Sequence, residues 1–285
     1  MTVTKTGIFN NVSDAEYHAM TDHLSSTGVR KLIPPSTPAH FDDWVKNPQP
    51  PSDAFDLGHV VHRLVLGKGA DYFPMDPKVH GLKKDGTVAD SPAATATWKA
   101  AAAEARADGK TPIHVDDLAT AEKMRSSVFA TPDAAALFKT GEPEVSIFAT
   151  DPTTGVKLRA RFDWLDGHTA VDLKTAANGA PDEFDRDAAK FGYYVQEMFY
   201  RHVAECAGWP IDAFKFVVVE KRGPNLTTVH EWDDVARSIG KRLVRQAIDL
   251  YARCLEADDW PGYAPGTHVM GLPMWMLDEV LGMAS

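Results

Sequence analysis

Val156-Lys157-Leu158-Arg159-Ala160-Arg161-Phe162-Asp163-Trp164-Leu165-Asp166-Gly167-His168-Thr169-Ala170-Val171-Asp172-Leu173-Lys174-Thr175 is the stretch on which the reading of the fold turns. From Val156 to Trp164 apolar and charged residues alternate strictly, the period of a half-buried strand. Asp166-Gly167 is a hairpin signal, so residues 169–175 return as the next strand. With Asp166-Gly167 as a two-residue loop, Leu165 pairs with His168, Asp163 with Ala170 and Arg161 with Asp172. Side chains at 161, 163, 170, 172 and 174 then share one face. An odd loop would put Asp163 and Asp172 on opposite sides. Diagonal neighbours on such a face are ~7–8 Å apart, close enough for two carboxylates to converge on one cation. Two carboxylates and water select a hard divalent ion, Mg²⁺ or Mn²⁺. Lys174 lands beside that point, where its pKa should fall readily, and Leu173 faces the core.

The pattern changes on either side of this hairpin. Residues 144–149 read as a strand and Asp151-Pro152-Thr153-Thr154-Gly155 as a turn. Upstream the chain reads as mostly helical, with a helix opening at Ser26 and stopped by Pro34-Pro35. Asn47-Pro48-Gln49-Pro50-Pro51 reads as a loop. In residues 53–66 Leu57, Val60, Val61, Leu64 and Val65 recur at helical spacing, with His62 in the middle and Gly58 leaving the surface beside it open. Residues 67–90 are polar and read as a loop. Ser91-Pro92 reads as the start of an Ala-rich helix to Ala107, Asp116-Asp117 as the start of another, and Thr131-Pro132 as the start of a short one. Downstream, a helix is expected over 181–206, strands over 214–220 and 227–231, and a long helix from Asp233-Asp234 to Ala257. Tyr193, Gln196 and Tyr200 share a face of the 181–206 helix.

Composition sets bounds. The chain has 285 residues, 44% of them hydrophobic, enough for a substantial core. No apolar run of ~18 residues appears and the first residues lack the apolar stretch of a secretory signal, so no membrane association and a cytoplasmic location, in a bacterial host or phage-infected cell, are expected. The two cysteines, Cys206 and Cys254, lie outside any CxxC pattern, which rules out a Cys-rich metal site within one chain. A formal charge of −10 runs against the usual excess of Lys and Arg in nucleic-acid binders, so a basic groove would have to be local. Arg159, Arg161 and Lys157, on the face of Asp163, are candidates to neutralise phosphates. Helix capping competes with anion binding as the role of Ser26.

A D-x-K triplet alone is most often a solvated hairpin face, and a lone histidine on an apolar helix is most often a hydrogen-bonded core residue. The order of motifs says more. Gly58-His59-Val60-Val61-His62, Gly141-Glu142-Pro143-Glu144, Arg161-Phe162-Asp163, Asp172-Leu173-Lys174-Thr175 and Tyr193-Tyr194-Val195-Gln196 together resemble the PD-(D/E)XK nuclease superfamily. More narrowly they resemble the RecE (exonuclease VIII) type of phage recombination exonuclease, related to the RecB nuclease domain and phage lambda exonuclease. The segments Leu24-Ser25-Ser26-Thr27-Gly28-Val29-Arg30-Lys31-Leu32 and Leu272-Pro273-Met274-Trp275 extend the likeness over nearly the whole chain.

The resemblance implies an α/β fold with a restriction-endonuclease-like core: a small mixed β-sheet flanked by helices, behind a helical N-terminal region. It implies one nuclease domain over 1–285, with a helical part at 1–140 carrying His62, the core sheet at 141–232, and a C-terminal helix and tail at 233–285. Asp163, Asp172, the Leu173 carbonyl and His62 would be metal ligands, Lys174 the water-activating lysine, and Glu144 the acid on the first core strand. Gln196 and Tyr193 would support the site or touch DNA, and Ser25, Ser26, Arg30 and Lys31 match the region that holds a 5′-phosphate. Asp rather than Glu at 172 departs from the commoner pattern. The implied activity is Mg²⁺- or Mn²⁺-dependent hydrolysis of double-stranded DNA from an end, 5′ to 3′. A ring-shaped homo-oligomer and a single-strand annealing recombinase as partner are implied too. The same motifs fit a structure-specific endonuclease or nickase, and a catalytically inactive DNA-end-binding module is a further class. A two-carboxylate glycosidase leaves His62 and Lys174 unexplained, and the iron–sulfur branch of the superfamily needs four cysteines.

Overall fold

The computed structural model describes residues 6–48, 56–272 and Met276. The chain runs β1 (Gly7–Phe9), α1 (Asp14–Ala19), α2 (Ser26–Leu32), α3 (Pro38–Lys46), α4 (Asp56–Leu66), β2 (Tyr72–Met75), α5 (Pro77–His80), α6 (Ala96–Ala107), β3 (Thr111–His114), α7 (Val115–Ala130) and α8 (Pro132–Leu137). It continues through β4 (Glu142–Thr150), β5 (Lys157–Asp166), β6 (Thr169–Ala176), α9 (Pro181–Lys190), α10 (Tyr193–Cys206), β7 (Ala213–Glu220), β8 (Thr227–His230) and α11 (Asp234–Ala257). Among the described residues, no helix is long and apolar enough to cross a membrane.

The main sheet is mixed, in the order β1-β4-β5-β6-β7-β8. Its pairs are antiparallel except β6–β7, which is parallel and joined by the crossover through α9 and α10. Both faces are covered, as a sheet containing a crossover requires. On one, Leu158, Ala160 and Phe162 of β5 meet Val195, Phe199 and Val203 of α10 and Val244, Ile248 and Tyr251 of α11. On the other, Val171 and Leu173 of β6 and Val217 and Val219 of β7 meet Val60, Val61 and Val65 of α4 and Met124 and Val128 of α7. Expected fold class and observed architecture agree.

Several local expectations are corrected. The hairpin loop is Gly167-His168, and the pairs are Trp164↔Val171, Leu165↔Ala170 and Asp166↔Thr169. Gly167 takes φ 56°, the positive φ that a two-residue turn opening on glycine requires. The turn is held from outside: Trp209 Nε1 donates to the Gly167 carbonyl at 2.8 Å, and the His168 ring stacks on Trp209 at 4.9 Å. The register shifts by two residues: Leu165 and Ala170 face one core, but Arg161, which alternates with Ala160 and Phe162 of that same core, points to the opposite face and does not share the face of Ala170 as expected.

The helix opening near Ser26 is capped by Ser25, whose Oγ accepts from Gly28 N. The Ala-rich helix starts at Ala96 with Thr95 as its cap, after a 3₁₀ turn at Pro92–Ala94, so Ser91 is not the cap. Residues 67–90 are not one loop. They contain β2, which pairs in parallel with β3, a strand whose Pro112 hid it from the sequence. The helix expected over 181–206 is two, broken where Gly192 takes φ 68°. Residues 49–51 of the expected loop, 53–55 of the expected helix and Pro273-Met274-Trp275 lie outside the described residues.

Gly240 marks the crossing of α11 over α10. A Cβ there would lie 2.6 Å from the Tyr194 carbonyl oxygen and 2.9 Å from Met198 Cγ, and the backbone atom cannot give way cheaply. Gly240→Ala should therefore lower stability by about 1–3 kcal/mol through overpacking. Gly58→Ala, whose Cβ meets only Thr175 Oγ1 at 3.6 Å, should hold or raise it, since Ala is favoured over Gly in a helix by about 1 kcal/mol. Paired thermal melts of the two variants check both.

Candidate active site

Pairing between β5 and β6 stops at Trp164↔Val171. In the same register the next pair would be Asp163 and Asp172, and there the ladder gives way to a side chain: Leu173 N–H donates to Asp163 Oδ2 at 2.8 Å. The alternation slips at the same place. Phe162 and Leu165, three apart, belong to the same core, while Trp164 between them packs against the other. The opening leaves room for polar side chains between the two apolar cores.

Glu144 enters this opening from β4. Its neighbours pair normally with β5, Pro143 with Trp164 and Val145 with Phe162, but Glu144 itself has φ 53°. A non-glycine residue in this left-handed region costs about 1–2 kcal/mol, and such positions cluster at functional sites. His62 comes from α4, whose Val60, Val61 and Val65 fix the helix on the core. Its Nδ1 lies 3.6 Å from Asp163 Oδ2. One ligand atom each from His62, Glu144 and Asp163 lie within 4.8 Å of one another.

Beside this trio stands a second group. Gln196 Nε2 donates to Asp172 Oδ1 at 2.5 Å, and Lys174 Nζ lies 2.5 Å from Asp172 Oδ2. The same ammonium donates to Gln196 Oε1 at 3.3 Å and sits 4.6 Å from the centre of the Tyr193 ring. Tyr193 stacks in turn on Phe216 of β7. Asp172 is therefore turned toward Lys174 and Gln196 and lies outside the His62–Glu144–Asp163 trio. The Leu173 side chain is buried in the core, as expected.

The electrostatics follow from crowding. Burial, and then the neighbouring Asp163 charge, push the Glu144 carboxyl up to about 7. Burial also raises Asp163, with Asp172 adding and His62 opposing. Lys174 corrects an expectation. Burial alone would depress its pKa, but Asp172 and Asp163 outweigh that and hold the ammonium above its ordinary value. At neutral pH it is a fixed cation. Two carboxyls raised by burial and mutual repulsion, with an imidazole beside them, form an oxygen-rich donor set that a hard divalent cation would relieve. His62, Glu144 and Asp163 thus fit such an ion.

Ser25, Ser26, Arg30, Arg159, Arg161 and Tyr193 line one cleft of about 1060 Å³ that contains the site, together with Asp14, Tyr17 and Lys68, whereas Lys31, over the Trp44 ring, and Lys157 do not line it. Ser25 and Ser26 are there, Ser26 buried. Arg30 is tied to the Phe191 carbonyl at 2.9 Å and to Thr27 Oγ1 at 3.3 Å. Arg159 and Arg161 are taken up by the N-terminal segment. Arg161 donates to Asp14, to the Val12 and Ser13 carbonyls and to Ser146 Oγ. Arg159 donates to the Tyr17 carbonyl and lies over its ring, and Lys157 pairs with Asp22 at 2.7 Å. Asp14 and Tyr17 were missed from sequence, although Ser13 and Glu16 form a capping box that announces their helix. Asp151, His202 and Cys206 form another close group, but Asp151 is already saturated by Arg245, Thr154 and His202.

A protein-family model described as a PDDEXK-like domain of unknown function (DUF3799) matches residues 35–270. Among solved structures, a candidate exonuclease from Eubacterium rectale superposes with a TM-score of 0.60 at 13% identity, over 95% of this chain and 99% of that one. An alkaline exonuclease from Laribacter hongkongensis gives 0.35 at 11% identity, over 86% and 96% of the two chains. A phage-related exonuclease from Haemophilus somnus gives 0.32 at 11%, over 83% and 96%. The first shares the fold along its length. No curated protein is found to match the chain.

Two outcomes are expected at Glu144. Glu144→Gly should melt higher than Glu144→Ala, by roughly 1 kcal/mol, because glycine alone relaxes the positive φ. Between its ordinary 4.5 and about 7 the folded chain keeps a proton that the unfolded chain has lost, so this contribution to stability falls as pH rises toward 7. Mn²⁺ binding must displace that proton. Calorimetry in buffers of different ionisation heat should show proton release near pH 6 that fades above pH 8 and shrinks in Glu144→Gln.

Proposed function

The chain belongs to the PDDEXK-like domain family, and on that footing we propose that it is a divalent-cation-dependent nuclease that degrades linear double-stranded DNA from an end. The observation that carries this reading is the opening in the β5–β6 ladder. It sets His62, Glu144 and Asp163 around one point, with the Asp172–Lys174–Gln196 group beside it, in a cleft open to a polymer. Such a set suits phosphodiester hydrolysis, in which charge builds on the phosphoryl oxygens and on the leaving oxygen. A 5′ to 3′ polarity, a ring-shaped homo-oligomer, a single-strand annealing recombinase as partner and a role in phage-type recombination follow from the RecE resemblance. So does the expectation that the whole chain acts as one nuclease domain.

The residues divide the work. A Mg²⁺ or Mn²⁺ ion held by His62, Glu144 and Asp163 would supply positive charge against the developing phosphoryl charge. Asp163 is fixed for this by the Leu173 amide and needs no reorganisation. Lys174, kept protonated by Asp172 and Asp163, holds its proton on Nζ beside the phosphate and adds a second cation there. Gln196 bridges Asp172 and Lys174 and keeps both from swinging into the cleft. Tyr193 walls the ammonium from solvent on one side.

The test is degradation of linear duplex carrying 5′-phosphate or 5′-hydroxyl ends, alongside a covalently closed circle, with Mg²⁺ or Mn²⁺. The wild type should shorten the linear substrates and spare the circle, and Lys174→Ala and Asp163→Asn should each lower the rate by about 10² or more. Cutting of the circle would favour the endonuclease reading. Intact ends in the presence of bound Mn²⁺ would favour the inactive end-binding module and sink the proposal.

A further inference from the structure

A cleft that receives a polyanion needs cations not already neutralised, and most of those lining this one are taken. Arg30, Arg159, Arg161 and Lys174 are engaged as described above. Arg63 pairs with Asp71 at 3.1 Å, and Lys68 donates to the Asn10 carbonyl. The remaining lysine of the cleft is Lys221, whose ammonium has no partner among the described residues.

The position of Lys221 is fixed by its backbone. It directly follows β7, at the carboxyl end of the parallel pair β6–β7, where open α/β sheets place their ligands. Its amide donates to the Ala176 carbonyl at 2.8 Å. On one side, Glu220 accepts from Gly179 N at 2.9 Å; on the other, Asn225, at φ 53°, donates Nδ2 to the Glu220 carbonyl at 2.9 Å and closes the hairpin. Arg222, exposed next to it, has no side-chain partner among the described residues either. Lys174 is in register with Val218, so Lys221 stands three residues further along, roughly 10 Å at ~3.3 Å per residue. That is about three base-pair rises from the reaction centre.

We propose that Lys221 is a phosphate contact of the cleft, gripping the DNA backbone a few nucleotides from the scissile bond, with Arg222 flanking it. The assignment rests on the nuclease reading, and it explains how a chain of net charge −10 takes a polyanion: through a few placed, uncompensated cations rather than a basic groove.

The experiment is fluorescence anisotropy of a labelled linear duplex across a salt series, in EDTA so that nothing is cut. Lys221→Ala should weaken binding about threefold or more and lower the slope of log affinity against log salt by about 0.9, the value of one phosphate contact. Lys221→Arg should restore the slope, and Lys46→Ala, remote and paired with Asp42, should leave it alone. Mn²⁺ titration of Lys221→Ala should match the wild type and show the trio undisturbed. An unchanged slope in Lys221→Ala, or equal losses in the Ala and Arg variants, overturns the assignment and leaves the nuclease reading standing. A wild type that neither binds nor cuts duplex brings down the nuclease reading and this assignment with it.

Discussion

The hydrogen bond from Leu173 N–H to Asp163 Oδ2 is the constraint on which the rest of the site depends. A buried amide must find an acceptor, and in the middle of a sheet the neighbouring strand ordinarily supplies it. Here the acceptor is a carboxylate. The substitution opens the ladder without leaving the amide unpaired, anchors the carboxylate more firmly than a rotamer preference could, and gives Glu144 and His62 a space to face. Asp172 and Lys174, on the strand that lost its ladder partner, turn to α10 and find Gln196.

Electrostatic crowding separates the two acidic groups. Asp172 is compensated inside the protein by a lysine and an amide. Asp163 has the Leu173 amide, the imidazole and the charge of Lys174 beside it, and Glu144 has Arg161 at 3.8 Å, yet burial and mutual repulsion still raise both. One group is compensated inside the protein and the other keeps raised carboxyls, and perturbed groups of the second kind are the usual candidates for binding a cation. The same logic runs along the cleft, where self-neutralised arginines fasten the N-terminal segment.

Much of this was legible in the sequence because it rests on local periodicity. The alternation from Val156 to Phe162, the returning strand and the α4 stripe carrying His62 needed only the periods 2 and 3.6, but the slip that sends Trp164 to the other core did not show in them. The hairpin register was not legible, because Asp166-Gly167 is a turn signal whose competitor Gly167-His168 wins through Trp209, a residue far along the chain. Strands β2 and β3 were hidden by a polar, Pro-containing composition; they pack against α6 and α7, and β3 against α4 as well. The engagement of Arg159 and Arg161 with Val12, Ser13, Asp14 and Tyr17 is a long-range contact with no local signature. Nor does composition indicate that Lys174 sits between two acids that hold its proton on.

The trio of His62, Glu144 and Asp163 joins a helix from the first part of the chain to two strands from the middle, across the whole β2–β3 excursion. An ion gripped there would act as a non-covalent clasp closing a long loop of chain, and it would bind the folded state alone. Catalytic competence and resistance to unfolding would then draw on one ligand. A cell short of divalent cation would hold this protein both idle and more easily removed, so the pool that persists would be the pool that is armed.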